Sequence, residues 1–134
     1  TKEKTVVDEV LKSFPQFTWT ADKRVQDGCS RRRPDLFLDM GSHVIIVEID
    51  ENQHKFYNKE DESNRYNDLY MDYSGKYIFI RYNPDKYKFD NKMQNPKFET
   101  RMKILQEQII KQTNRINNFE NKELVEIHKL FFDN

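Results

Sequence analysis

Arg33-Pro34-Asp35-Leu36-Phe37-Leu38-Asp39-Met40-Gly41-Ser42-His43-Val44-Ile45-Ile46-Val47-Glu48-Ile49-Asp50 is the stretch that decides the fold. Two apolar runs, Leu36 to Leu38 and Val44 to Val47, flank Asp39-Met40-Gly41-Ser42, and apolar runs broken by turn residues read as a β-hairpin. A Gly-X pair suits a two-residue hairpin turn, whose first position needs a positive φ. With Gly41-Ser42 in that turn, Met40 pairs with His43 and every further pair of residue numbers adds to 83. This register sets Asp35 opposite Glu48. Side chains alternate with period two, so Asp50 falls on the same face, opposite Arg33, with Phe37 and Ile46 farther along. Three carboxylates gather at one end of one sheet face.

Like charges directly opposite one another destabilise a sheet, and three carboxylates in a poorly solvated place cannot all ionise. A hard divalent cation cancels the charge. Magnesium binds through one or two carboxylates plus waters and substrate phosphate, with Mn2+ able to substitute, and such an ion can activate water for attack on phosphorus. A lone Cys29 removes any soft thiolate site from consideration. Past Asp50 the chain runs Glu51-Asn52-Gln53-His54, a loop leaving the strand end, where His54 is placed as a general base, a leaving-group acid or a further ligand. The opposing reading is a solvated strand end with Arg33 as counter-ion.

Outward from the hairpin, Val6, Val7, Val10, Leu11 and Phe14 recur at helical spacing until Pro15, which predicts an amphipathic helix over Glu3 to Ser13 with Glu3 and Glu9 on its polar face. Phe17 to Thr20 reads as a short strand and Ala21 to Arg32 as loop. Tyr66, Leu69, Tyr70 and Tyr73 predict a helix from about Glu62 to Ser74, closed by Gly75. Tyr77 to Tyr82 follows as a buried strand closed by Asn83-Pro84-Asp85. Strand, helix, strand implies a right-handed crossover between parallel strands. Tyr87 to Pro96 reads as a polar loop. Phe98, Met102, Leu105, Ile109 and Ile116 predict a second long helix, and Glu123 to Phe132 tilts towards an edge strand because Val125 and Ile127 alternate. The expected fold class is α/β: a mixed β-sheet, antiparallel hairpin plus βαβ crossover, flanked by helices.

The 134 residues fit one domain, 1–134. No apolar run is long enough for a bilayer and no secretory signal opens the chain, so no membrane partner is expected. The single cysteine suits a reducing compartment, cytoplasm or nucleus. The chain starts at Thr1 without Met and is read as the C-terminal catalytic part of something longer. Its 23 basic and 23 acidic residues cancel, and a zero sum taken alone disfavours nucleic acid. By segment, however, residues 1–33 carry +3, 34–62 carry −6 and 63–134 carry +3. An acidic block able to hold metal sits between two basic flanks able to hold phosphate.

Arg33-Pro34-Asp35, the string Glu48-x-Asp50-x-x-x-His54, Gln53, Arg65, and Ile78-Phe79-Ile80-Arg81-Tyr82-Asn83-Pro84-Asp85 together resemble the PD-(D/E)XK nuclease superfamily. Within it the chain is most similar to the very-short-patch-repair-like branch, with the EDxHD homing endonucleases and related giant-virus proteins. The resemblance covers residues 1–85 well and the remainder loosely. It implies a metal-dependent DNA endonuclease with a restriction-endonuclease-like mixed sheet, and the giant-virus likeness adds the viral factory to the expected compartments. Asp35 is then the principal metal ligand, Glu48 or Asp50 the second acidic member, the Ile49 carbonyl a backbone ligand, His54 the catalytic histidine and Glu9 the glutamate of the first helix. The lysine of the general pattern, two residues after the acid, is Asp50 here, which favours the histidine variant. Homing enzymes of this kind join the core to a separate DNA-reading module.

Arg31, Arg32 and Arg33 either hold the phosphate backbone or form a solvated basic loop. Gln53 and Lys55, flanking His54, join the expected DNA contacts. Arg65 and Arg81 either face DNA at the cluster or form ion pairs with Glu48 or Asp61. Lys97, Arg101, Lys103, Lys111 and Arg115 give the second long helix a basic side that lies along DNA or simply solubilises it. A homodimer is natural for a symmetric site. Two alternatives stand beside the endonuclease: a catalytically silent nucleic-acid-binding module of the same fold, and a nuclease for RNA or branched DNA.

Overall fold

The computed structural model describes residues 1–21, 34–54 and 75–134, with the backbone alone for His54. The expected helix over 62–74 lies outside the described residues. Helix α1 spans Lys2–Ser13; the Thr1 hydroxyl caps it by accepting from Lys4 N–H at 3.1 Å, and it ends at Phe14, whose N–H donates to Val10 O, just before Pro15. Strand β1 is Trp19–Ala21, β2 is Leu36–Asp39, β3 is His43–Ile49, β4 is Lys76–Tyr82, β5 is Tyr87–Phe89, β6 is Lys92–Gln94 and β7 is Val125–Leu130. Helix α2 covers Phe98–Asn117.

Among the described residues one five-stranded sheet has the order β1-β2-β3-β4-β7. Its first three strands run antiparallel, while β4 and β7 lie parallel to β3. The sheet is therefore mixed, in an α/β chain. The hairpin register is the one its turn chemistry demands: Leu36 pairs with Val47, Phe37 with Ile46, Leu38 with Ile45 and Asp39 with Val44. Gly41 takes φ +89°, Met40 N–H donates to His43 O at 2.8 Å, and Gly41 N–H donates to Asp39 Oδ1.

Every residue of β3 is buried, as a strand covered on both faces requires. On one face, Val6 and Val10 of α1 and Leu105 and Ile109 of α2 pack on Ile45, Val47, Ile78 and Ile80. The opposite face carries a smaller cluster of Val44, Ile46, Tyr77 and Phe79. Each fully buried aliphatic or aromatic side chain contributes about 1.5–3 kcal/mol. Among the described residues no helix is long and apolar enough to cross a membrane.

The sequence reading leaves 87–96 as loop, yet β5 and β6 form a hairpin there. Asp90 and Asn91 at its tip both take positive φ, the type I′ geometry that short polar residues tolerate; three-residue strands give too little alternation to announce it. The basic side expected of α2 is also smaller than its sequence suggests. Arg101 is buried, its guanidinium donating to the carbonyls of Asn83, Asp85 and Pro96, and Arg115 turns onto Glu126.

Candidate active site

The ladder between β2 and β3 ends at Leu36 and Val47, so Asp35 stands one step beyond, level with Glu48. Just past β3, Asp50 N–H donates to Tyr82 O of β4 at 2.7 Å, and successive backbone groups alternate, so Ile49 N–H faces β2. Asp35 Oδ2 accepts that N–H at 2.7 Å. A strand residue turns its N–H and C=O to the same side, which brings the Ile49 carbonyl to the Asp35 side of β3.

Burial pushes the Asp35 carboxyl up to about 9; a hydrogen bond with the Glu3 carboxylate and the negative Glu48 add to the rise, and the Ile49 N–H offsets only part of it. At neutral pH Asp35 keeps its proton. Glu48 itself is only 2% exposed. The carboxylate that α1 brings to Asp35 is thus Glu3. Glu9, the residue expected from the first helix, lies six positions on, roughly 9 Å along the axis and about 120° around it. A cavity of about 220 Å³, lined by Thr1, Glu3, Lys4, Val7, Ala21 and Asp35, opens beside the pair. A larger one, about 400 Å³ between the start of α1 and Tyr82, Pro96 and Phe98, is lined by none of the carboxylates.

Asp50 is fully buried and its Oδ2 accepts from Arg81 Nε, an ion pair sealed from solvent. Parallel register sets Arg81 level with Glu48 on the neighbouring strand, and its guanidinium lies 5.1 Å from the Phe132 ring centroid. Arg81 is 4% exposed, so this side chain braces the sheet end from within instead of lying open for a phosphate. Asp50 is correspondingly committed to a cation of the chain's own, a departure from its expected place among the metal ligands.

Beyond Asp50 the segment Glu51–His54 forms a short 3-10 turn in which Asn52 and Gln53 adopt φ of 51° and 58°. Asn52 N–H donates to Asp85 Oδ2 at 2.7 Å, and the other Asp85 oxygen takes Lys2. Burial would raise the Asp85 carboxyl, but the Lys2 ammonium and Asn52 N–H hold it below its ordinary value. Gln53, expected on DNA, instead exchanges hydrogen bonds with Asp133. The His54 side chain, Arg31, Arg32, Arg33, Lys55 and Arg65 lie outside the described residues.

A second polar centre, on the helix-covered face near the opposite end of the sheet, has no counterpart in the sequence reading. Burial alone would raise Glu126, yet hydrogen bonds from Arg115, Asn121 and His128 outweigh it and take the carboxyl down to about 2. His43 lies nearby, its basicity lowered by burial and by Lys76. These residues come from β3, β7, α2 and the link after α2, and no spacing in the sequence joins them.

Among the described residues no three of His, Cys, Asp and Glu are already spaced to hold a metal ion. The donor chemistry of the Asp35 end is nevertheless of the all-oxygen kind a hard cation takes: Asp35 hydrogen-bonds with Glu3 and accepts from Ile49 N–H, and Glu48 stands near enough to raise it. Burial and the neighbouring carboxylates both favour the protonated form of Asp35. No family model, curated protein or solved structure matches the chain.

Proposed function

We propose that the chain is a PD-(D/E)XK-type nuclease domain, a metal-dependent endonuclease that hydrolyses DNA phosphodiesters in the manner of homing endonucleases. The observation that carries this reading is the meeting of Asp35, Glu48 and Glu3 at one end of a mixed sheet, beside a cavity. Asp35, Glu48 and the Ile49 carbonyl would hold Mg2+ or Mn2+, with Glu3 as the third carboxylate. When bound, the ion supplies charge neutralisation at the phosphoryl oxygens and a more acidic water. His54 takes a proton from the attacking water or returns one to the leaving oxygen. Asp50 holds Arg81 beside Glu48, so a fixed positive charge stands near where the superfamily pattern places its lysine. Arg31, Arg32, Arg33, Lys55 and Arg65 supply phosphate contacts. A second copy would address the other strand of a symmetric site, and an upstream module would read sequence.

Plasmid or duplex cleavage with and without Mg2+, and with Asp35→Asn, tests the reading. Cleavage requires the metal and is lost in the variant; activity that survives both changes overturns it. Salt-sensitive DNA binding without cleavage in any divalent ion would mark a silent binding module, and competition with RNA or branched DNA identifies the substrate.

A further inference from the structure

We infer that Gln53 and Asp133 form a clamp that positions His54, so that the segment following β7 is part of the machinery that orients the catalytic histidine. Gln53 Nε2 donates to Asp133 Oδ1 at 3.0 Å and Asp133 N–H donates to Gln53 Oε1 at 2.7 Å. Two antiparallel bonds between one side-chain amide and one residue fix orientation as well as distance. Asp133 is anchored in turn: its Oδ1 also accepts from Lys88 N–H of β5 at 2.6 Å. The next residue, Asn134, exchanges side-chain hydrogen bonds with Asp90 at the tip of the same hairpin. The β5–β6 hairpin, which the sequence conceals, thus becomes the support on which the clamp stands.

The turn needs such support. Asn52 and Gln53 are consecutive non-glycine residues in the left-handed region, a conformation that persists only where the surroundings over-determine it. Asp85 fixes the first of them through its N–H. Gln53 N–H donates to Asp50 O at 2.9 Å, and its side chain is held by Asp133. His54 is the next residue, so its backbone direction follows from these bonds. The chemistry served rests on the nuclease reading; the geometry of the clamp does not.

The test uses the whole chain and reads the imidazole signals of its three histidines, His43, His54 and His128, by NMR. Gln53→Ala and Asp133→Ala shift the His54 ring signals and leave those of His43 and His128 in place. Asp133→Asn keeps an Oδ1 acceptor and the backbone donor, and retains the wild-type His54 signals. In Mg2+-dependent cleavage the two alanine variants lose about 10- to 100-fold in kcat with KM changed less than about twofold, because misorientation affects the reaction more than binding. Unmoved His54 signals in Asp133→Ala, or equal movement of all three histidines, overturn the clamp. Wild-type protein that cleaves nothing overturns the nuclease reading alone, since the His54 signals still decide the clamp.

Discussion

Two carboxyl environments at the two ends of one sheet show how neighbours decide what a half-buried acid does. At the Glu126 end the partners are donors: Arg115 with two nitrogens, Asn121 and His128, and the carboxyl falls to about 2. At the Asp35 end two of the three nearest partners are further carboxylates, and the carboxyl rises to about 9. Both ends bury charge in the same small domain. One is met by donors and ties α2 to β7; the other sets carboxyl against carboxyl. Titratable groups driven apart in this way separate structural from chemical roles.

The sharpest way to break the comparison is Asp35→Asn. Metal-dependent cleavage should fall by about 10³-fold or more, measured as kcat/KM on a duplex substrate. The metal-free protein should meanwhile gain stability. Asp35 sits above its ordinary 3.8, so between that value and about 9 the folded chain holds a proton that the unfolded chain releases, and stability falls as pH rises through the window. Asparagine removes this dependence, and its Tm at pH 8 should exceed wild type by roughly 3 °C or more. A gain in activity or a loss of stability would abolish the contrast between the two ends.

Next in size is Arg81→Met, which strands Asp50 as a buried charge and should lower unfolding free energy by about 3–5 kcal/mol in urea titrations. Adding Asp50→Leu to that variant should recover much of the loss, since an apolar pair of similar volume needs no counter-charge. Arg115→Met should lower stability by roughly 2–3 kcal/mol at pH 7, because hydrogen bonds to a charged group are the strong ones. Glu126 lies below its ordinary 4.5, so its contribution is present above that value and is lost as pH falls towards about 2; the Arg115→Met penalty should shrink across that interval. The smallest expected effect separates the two glutamates of α1. Glu3→Gln should reduce cleavage about tenfold, while Glu9→Gln stays within about twofold, a difference read from initial rates. Equal losses would return the role to Glu9.

Much of the sheet was legible because β-structure writes its register into short range. Gly41-Ser42 fixes the turn, and period two then delivers Asp35 to Glu48 without knowledge of any other element. What the hairpin could not announce was anything depending on how distant segments dock. Arg81 meets Asp50 only because β4 lies parallel to β3 in one particular register. The polar face of α1 displays Glu3 and Glu9 alike, and which turn reaches the strand end is settled by the packing of Val6 and Val10. Asp133 acts through partners far away in the chain and Glu126 through nearer ones brought together by the turn from α2 into β7, and each looks from sequence like a solvated charge.

Asp85 holds Lys2 with one oxygen and Asn52 N–H with the other. One carboxylate thereby couples the first turn of α1, which carries Glu3, to the turn that ends in His54. The two halves respond differently to ionic strength. Lys2 has a side chain 60% exposed, so its attraction is screened by added salt, whereas the bond from a backbone amide is little affected. Added salt therefore loosens one half of this link and leaves the other in place, an effect internal to the protein.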